Sequence, residues 1–271
     1  MGPIVINIDP VLLDMGHIQV RWYGLIVLLA IAVGIWFGVR EATRRGVSSD
    51  DAWGLASWAV LGGLIGARLF HVVDRLDYYL VNPLAAFAVW QGGLAIWGAI
   101  AGGAGAAVWY AFKHRLPLAS LADAAAPALL VGQIIGRVAC IINGDSTGIP
   151  TDLPWGFAYM HPRAAVSPDL LGVPTHPYPL YEILWNGATL ALVWGLRTRA
   201  RVEGALFLTY VTLYALGRFA LSFVRREVVW LLGLQEAQVV AVVVLVAAAV
   251  ALYMLWRRAQ AQAALAPVER S

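Results

Sequence analysis

The chain is poor in charge, in cysteine and in lysine. Of its 271 residues, 13% are charged and 61% are hydrophobic, whereas a soluble domain carries about 25% charged residues. That shortage excludes a water-coated globular domain of this length, and the apolar excess excludes a disordered chain. A single cysteine, Cys140, excludes an internal disulfide and a multi-cysteine metal site. The five histidines include no pair four residues apart on one helix, so no metal site is expected. The net charge of +3 is too small to point to nucleic acid. Lys113 is the only lysine, against 18 arginines. Guanidinium makes planar, bidentate contacts to phosphate and carboxylate, so each arginine has to be judged by its position.

What the chain has in abundance is long apolar runs, and its mean hydropathy is +0.72. Seven stretches are read at 22–39, 52–73, 93–112, 118–142, 178–196, 204–224 and 237–256. Lipid admits only helices or closed barrels, and these runs exceed the roughly 9–11 residues of a barrel strand. The expected fold is all-α: a polytopic membrane protein of seven transmembrane helices, forming a single domain over 1–271. Residues 1–21 form an outer arm, whose run Ile4-Val5-Ile6-Asn7-Ile8 is expected along the interface. The proline-rich segment 143–177 forms a small outer loop or cap. Eleven Lys and Arg fall on one side of the spans, five on the other and three within spans. The positive-inside rule then puts the N-terminus outside and the C-terminus in the cytoplasm. No basic segment precedes the first apolar run, so no cleavable signal peptide is expected.

The three cations within spans are Arg68, Arg137 and Arg218. At about 1.5 Å per helical residue they lie roughly 21–29 Å from the inner face of a core about 30 Å thick, in its outer third. Single arginines at such a depth can snorkel to the headgroups. Three on alternate spans suggest a cationic pocket open to the outer leaflet, where lipid phosphate is the obvious anion. Tyr23, His71 (one turn after Arg68 and within reach of Asp74), His176, Tyr181 and Glu182 gather at the same level. The fourth span runs out through Asn143-Gly144-Asp145, a sequence that turns a chain while presenting side chains. The glycines of the third span, Gly92, Gly93, Gly98, Gly102, Gly103 and Gly105, either line a cavity or let helices pack closely.

These segments resemble the bacterial prolipoprotein diacylglyceryl transferases. Gly136-Arg137 followed by Asn143-Gly144-Asp145 and Gly148 is similar to the family signature GR-x-x-N-x-x-N-G-E-x-x-G. Trp22-Tyr23-Gly24, Gly66-Ala67-Arg68-Leu69-Phe70-His71, Trp90-Gln91-Gly92-Gly93-Leu94-Ala95-Ile96-Trp97-Gly98, His176-Pro177 with Leu180-Tyr181-Glu182, and Gly217-Arg218-Phe219 extend the match. Each is short; their order and shared outer location make the set specific.

The resemblance implies seven spans in the bacterial cell membrane, an active site facing the extracytoplasmic side, and no cofactor. It implies transfer of the diacylglyceryl group of phosphatidylglycerol to the lipobox cysteine thiol at a prolipoprotein signal peptide, forming a thioether and releasing glycerol phosphate. Catalytic roles pass to Tyr23, Arg137, Asp145 (usually Glu), Glu182 and Arg218. Substrate binding passes to Arg68, His71, Trp97, Arg137, Asn143, Gly148, His176 and Arg218. Three positions depart from the pattern. Trp97 stands where many members have histidine, Cys140 replaces the signature's first Asn, and Ser222 replaces a usual Glu. The attacking thiol belongs to the substrate and is already partly ionised near neutral pH, so a missing base is tolerable; His71 and His176 are the remaining candidates. Two other readings stay open. One is a diverged lipid-binding homologue with altered or lost transferase activity. The other is a transporter, against which the polar groups cluster toward one face rather than at the midplane.

Overall fold

Some helix ends are written in the sequence: Ser48 precedes the helix Ser49–Asp74, and Gly144 follows the helix Leu118–Asn143 with a positive φ. In the computed structural model, which describes residues 2–16, 19–88, 92–200 and 202–265, the chain is mostly helical. The helices are α1 (Trp22–Arg44), α2 (Ser49–Asp74), a short α3 (Leu76–Val81), α4 (Ile96–Lys113), α5 (Leu118–Asn143), α6 (Tyr178–Leu196), α7 (Ala205–Ser222) and α8 (Glu236–Leu265). Ser48 caps α2 by accepting from the Asp51 amide at 3.1 Å, and Asp50 and Asp51 complement the helix dipole in its first turn. Trp90 and Gln91 of the third-span motif, and Arg201 and Arg270 of the charge count, lie outside the described residues.

Among the described residues, five helices are long and apolar enough to cross a membrane: α1, α2, α5, α7 and the Glu236–Leu255 part of α8. Their apolar side chains are largely uncovered by protein, as at Leu28, Leu29, Ile65 and Val243. So much exposed hydrocarbon requires a non-aqueous surrounding. α4 and α6, of 18 and 19 residues, do not join this set.

The chain is mostly helical, as expected, with short strands beside the helices. Three two-stranded pairings also form. β1 (Ile4–Ile6) pairs in parallel with β4 (Phe157–Tyr159), β2 (Val11–Asp14) with β3 (Gln19–Arg21), and β5 (Val229–Leu231) with β6 (Leu234–Gln235). The arm at Ile4–Ile6 is thus a strand fastened to the 143–177 segment. Ile6 joins Phe157, Tyr159, Val166 and Leu170 in a small core, while Arg163 pairs with Asp9 and with Asp14. The strand forms because its β-branched residues gain both a ladder and a buried contact there.

The chain forms two compact units, 38–124 and a second made of 1–37 with 125–271. Within 38–124, α2 and α4 lie against each other through small residues. A Cβ on Gly62 would stand 2.6 Å from the Gly102 carbonyl, and one on Gly102 would strike the Gly62 carbonyl. Gly98 and Gly66 meet in the same way. These glycines therefore serve close packing, whereas a Cβ on Gly105 would meet nothing within 4 Å. In the other unit, α7 packs on α6 and α8, and Ala126, Leu130, Val193, Leu206 and Tyr210 form its buried centre.

Two outcomes follow. Gly102→Leu should force α2 and α4 apart and lower the thermal midpoint in detergent by several degrees or abolish accumulation, while Gly105→Ala should leave the midpoint equal or slightly higher. In the 143–177 segment, burial raises the Tyr159 phenol well above its ordinary value of 10.0, and the hydroxyl donates to the Ile141 carbonyl at 3.0 Å. The folded segment holds this proton longer than the unfolded chain does, so its contribution is intact below the ordinary value and lost as pH rises beyond it. Tyr159→Phe should be less stable at neutral pH, by about 1 kcal/mol, with a shallower alkaline loss. Thermal midpoints from neutral to strongly alkaline pH measure both.

Candidate active site

The site grows from three helix ends. α5 carries Gly136-Arg137 and Cys140 and finishes at Asn143; Gly144 then takes φ +79°, with its amide on the Cys140 carbonyl at 2.8 Å. Only glycine adopts this left-handed turn at little cost. It sends Asp145, Ser146 and Thr147 back beside the helix that precedes them. α6 opens on Pro177, Tyr178 and Pro179, prolines that suit a first turn, and presents Glu182 one turn later. α7 contributes Arg218. Gly217, beside it, gives room to the indole of Trp185, whose Nε1 donates to the Leu213 carbonyl at 2.8 Å.

Glu182 is buried and lies between the two arginines. Its Oε2 is 2.5 Å from Arg137 Nε, an ion pair without hydrogen-bond alignment, and its Oε1 accepts from Arg218 Nη1 at 3.3 Å. Arg218 also donates to the Tyr178 hydroxyl. Tyr178 is fully buried. The guanidinium carbons of Arg137, Arg218 and Arg225 stand 5.9, 6.0 and 5.0 Å from its ring centre. Arg225 pairs with Glu227 at 2.9 Å. Three guanidiniums thus share the carboxylates of Glu182 and Glu227 beside α5, α6 and α7.

A cavity of about 200 Å³ adjoins this cluster, lined by Tyr23, Val27, Gln133, Gly136, Arg137, Cys140, Asn186 and Tyr214. Gln133 donates to the Tyr210 hydroxyl at 2.8 Å and leaves its own buried oxygen unpartnered. Arg137 Nη1 reaches toward Cys140 Sγ at 3.7 Å and Ser146 Oγ at 3.5 Å, and the thiol lies 4.0 Å from Asp145. A second, larger cavity of about 300 Å³ includes Asp145, Ser146, Thr147, Arg225 and Arg226.

The structure brings Tyr23, Arg137, Asp145, Glu182 and Arg218 together in or beside these spaces. Asn143 is buried and accepts from Arg21 at 3.4 Å. Gly148 donates to the His176 carbonyl at 3.1 Å, and a Cβ there would stand 2.6 Å from that of His176. The His176 ring contacts the Tyr181 hydroxyl at 3.3 Å, which also receives Trp155 Nε1 at 3.0 Å. Ser222, buried, turns its hydroxyl back to the Arg218 carbonyl at 2.6 Å.

Arg68, His71 and Trp97 belong to the 38–124 unit. The guanidinium of Arg68 donates to the carbonyls of Ala85, Ala86, Ala88, Gly92 and Gly93 at 2.6–3.4 Å. These five bonds use all five of its donors. A Cβ on Gly93 would meet both Arg68 and His71 within 2.7 Å. His71 stacks edge-on against Tyr79, with ring centres 6.0 Å apart, and makes no ion pair with Asp74 among the described residues. Trp97 is exposed.

The sequence profile described as Prolipoprotein diacylglyceryl transferase matches residues 10–254. The chain belongs to the prolipoprotein diacylglyceryl transferase family. Relatives named phosphatidylglycerol–prolipoprotein diacylglyceryl transferase include those of Thermosynechococcus vestitus (36% identical over 90% of this chain and 91% of that protein) and Nostoc sp. (38% over 85% and 83%). That of Geobacter sulfurreducens is 38% identical over 81% of this chain and 83% of its own.

For a family whose named lipid is anionic, Tyr178 and Arg225 are the residues that sequence reading passed over. Tyr178 could have been found as the aromatic four residues before Glu182, hence on the same helix face. Arg225, counted only as a loop charge, had no comparable signal. Glu182→Gln should leave Arg137 and Arg218 facing each other uncompensated. The expected loss is about 3 kcal/mol, read as a lower thermal midpoint in detergent; an unchanged midpoint would mean that the carboxylate does not hold the pair.

Proposed function

We propose that this protein transfers the diacylglyceryl group of phosphatidylglycerol to the thiol of a prolipoprotein's lipobox cysteine. The thiol sulfur forms a bond to the glyceryl carbon that carries the phosphate ester. That carbon–oxygen bond breaks, and glycerol phosphate leaves while the thiol gives up its proton. The match of residues 10–254 to the family carries this reading. The site chemistry supports it, because a cluster of buried guanidiniums complements the single negative charge of a phosphodiester.

Arg137 and Arg218 bind that phosphate and stabilise the charge gathering on the leaving oxygen. Glu182 keeps the two cations side by side. Tyr23 stands at the cavity that would take the glyceryl portion, with Asp145 near its outer end. Asn143, Gly148 and His176 shape the neighbouring loop, and His176 is a candidate base. His71 and Trp97 enter the substrate-binding set through their motif positions alone. Arg68, with every donor on a carbonyl, contributes by holding the backbone at 85–88 and 92–93 rather than by touching phosphate.

In this reading the chain is one membrane domain with seven spanning helices, α3 excepted. α4 and α6 span despite their composition, because the glycines of α4 face α2 and Glu182 and Asn186 of α6 are buried in protein, where polar groups within a membrane belong. The loop charges put the N-terminus and the 143–177 cap outside, and the reaction at the extracytoplasmic face of the bacterial cell membrane.

The test is transfer of a labelled diacylglyceryl group from phosphatidylglycerol to a lipobox peptide. The native chain is expected to transfer it. Arg137→Ala and Arg218→Ala should accumulate in the membrane yet lose at least about a hundredfold in rate. Full activity in both variants would remove the phosphate assignment, and inactivity of the native chain would favour the diverged lipid-binding reading.

A further inference from the structure

Three guanidiniums around one aromatic ring need something to hold them. Arg137 and Arg218 share Glu182, and Arg225 has Glu227. No carboxylate in these pairs bridges Arg225 to the other two. The feature common to all three is Tyr178. Its hydroxyl accepts from Arg218, and its ring lies 5.0 Å from Arg225 and 5.9 Å from Arg137. The ring carries negative charge density on its faces, and a buried cation–π contact is stronger than an exposed one because less water competes. Prolines on both sides and the start of α6 fix the residue's backbone. The phenol is fully enclosed, so its rotation is limited by packing.

We propose that Tyr178 is a positioning residue for this reaction. Its hydroxyl sets Arg218, its ring sets Arg225 and Arg137, and together they hold the guanidiniums in one phosphate-facing arrangement. The proposal rests on the transferase reading for its consequence but not for its geometry. A ring of equal size without negative faces should therefore fill the space yet fail to hold the cations.

The experiment replaces Tyr178 by Phe, by 3,4,5-trifluorophenylalanine introduced through an expanded code, and by Leu, in the full chain purified in detergent. Tyr178→Phe removes the hydroxyl acceptor and should lower kcat/KM for phosphatidylglycerol about tenfold. The fluorinated ring should lower it by about a further fivefold, with the thermal midpoint equal to that of Tyr178→Phe. Phenylglyoxal labelling of Arg225 and Arg137, located by peptide mass spectrometry, should rise in the same order. Leu sets the limit for a side chain with no ring at all. If trifluorophenylalanine and Phe give the same rate and the same labelling, the ring's charge distribution does not hold the arginines and the proposal falls. If the native chain transfers no lipid, the functional reading fails by itself, and the order of labelling still decides whether Tyr178 positions the cluster.

Discussion

The buried carboxylate of Glu182 is the contact on which the rest of the site depends. It stands on α6 and meets Arg137 of α5 and Arg218 of α7, so one ion ties three helices together. Two guanidiniums this close would repel strongly where water is scarce. With the carboxylate between them they coexist and keep a surplus of positive charge. That surplus is what a phosphodiester could use, and the two cations stay side by side because the enclosed carboxylate lies between them.

The loop beyond α5 is shaped around the same ion. Gly144 turns the chain so that Asp145 and Ser146 return toward Cys140 and Arg137. Gly148 then passes close to His176, just before α6 begins. The arm strand Ile4–Ile6 and the ion pairs of Arg163 hold the 143–177 segment from its other side. Polar loops of this length need such fastening, because their backbone groups cannot be left unpaired where they are buried.

Arginines that look equivalent along the chain meet different fates. Arg137 and Arg218 each find a carboxylate. Arg68 instead spends every donor on backbone carbonyls at 85–88 and 92–93. The glycines divide similarly: Gly98 and Gly102 bring α2 and α4 into backbone contact, while Gly105 meets nothing. Residue type was legible in advance, but partners were not, because partners come from elements far apart in sequence.

The sequence by itself determined the lipid-soluble character, the approximate helix positions, the family and most of the residues proposed for the site. Those follow from composition, from hydrophobic run length and from short ordered motifs, all of them local properties. Tertiary structure decided which arginines face a carboxylate and which cap a loop. It also decided that the apolar N-terminal run pairs as a strand, and that Tyr178 sits at the centre of the cations. Each of these depends on long-range contacts, where burial changes the energy of a charge or a hydrogen bond far more than the residue's own identity does.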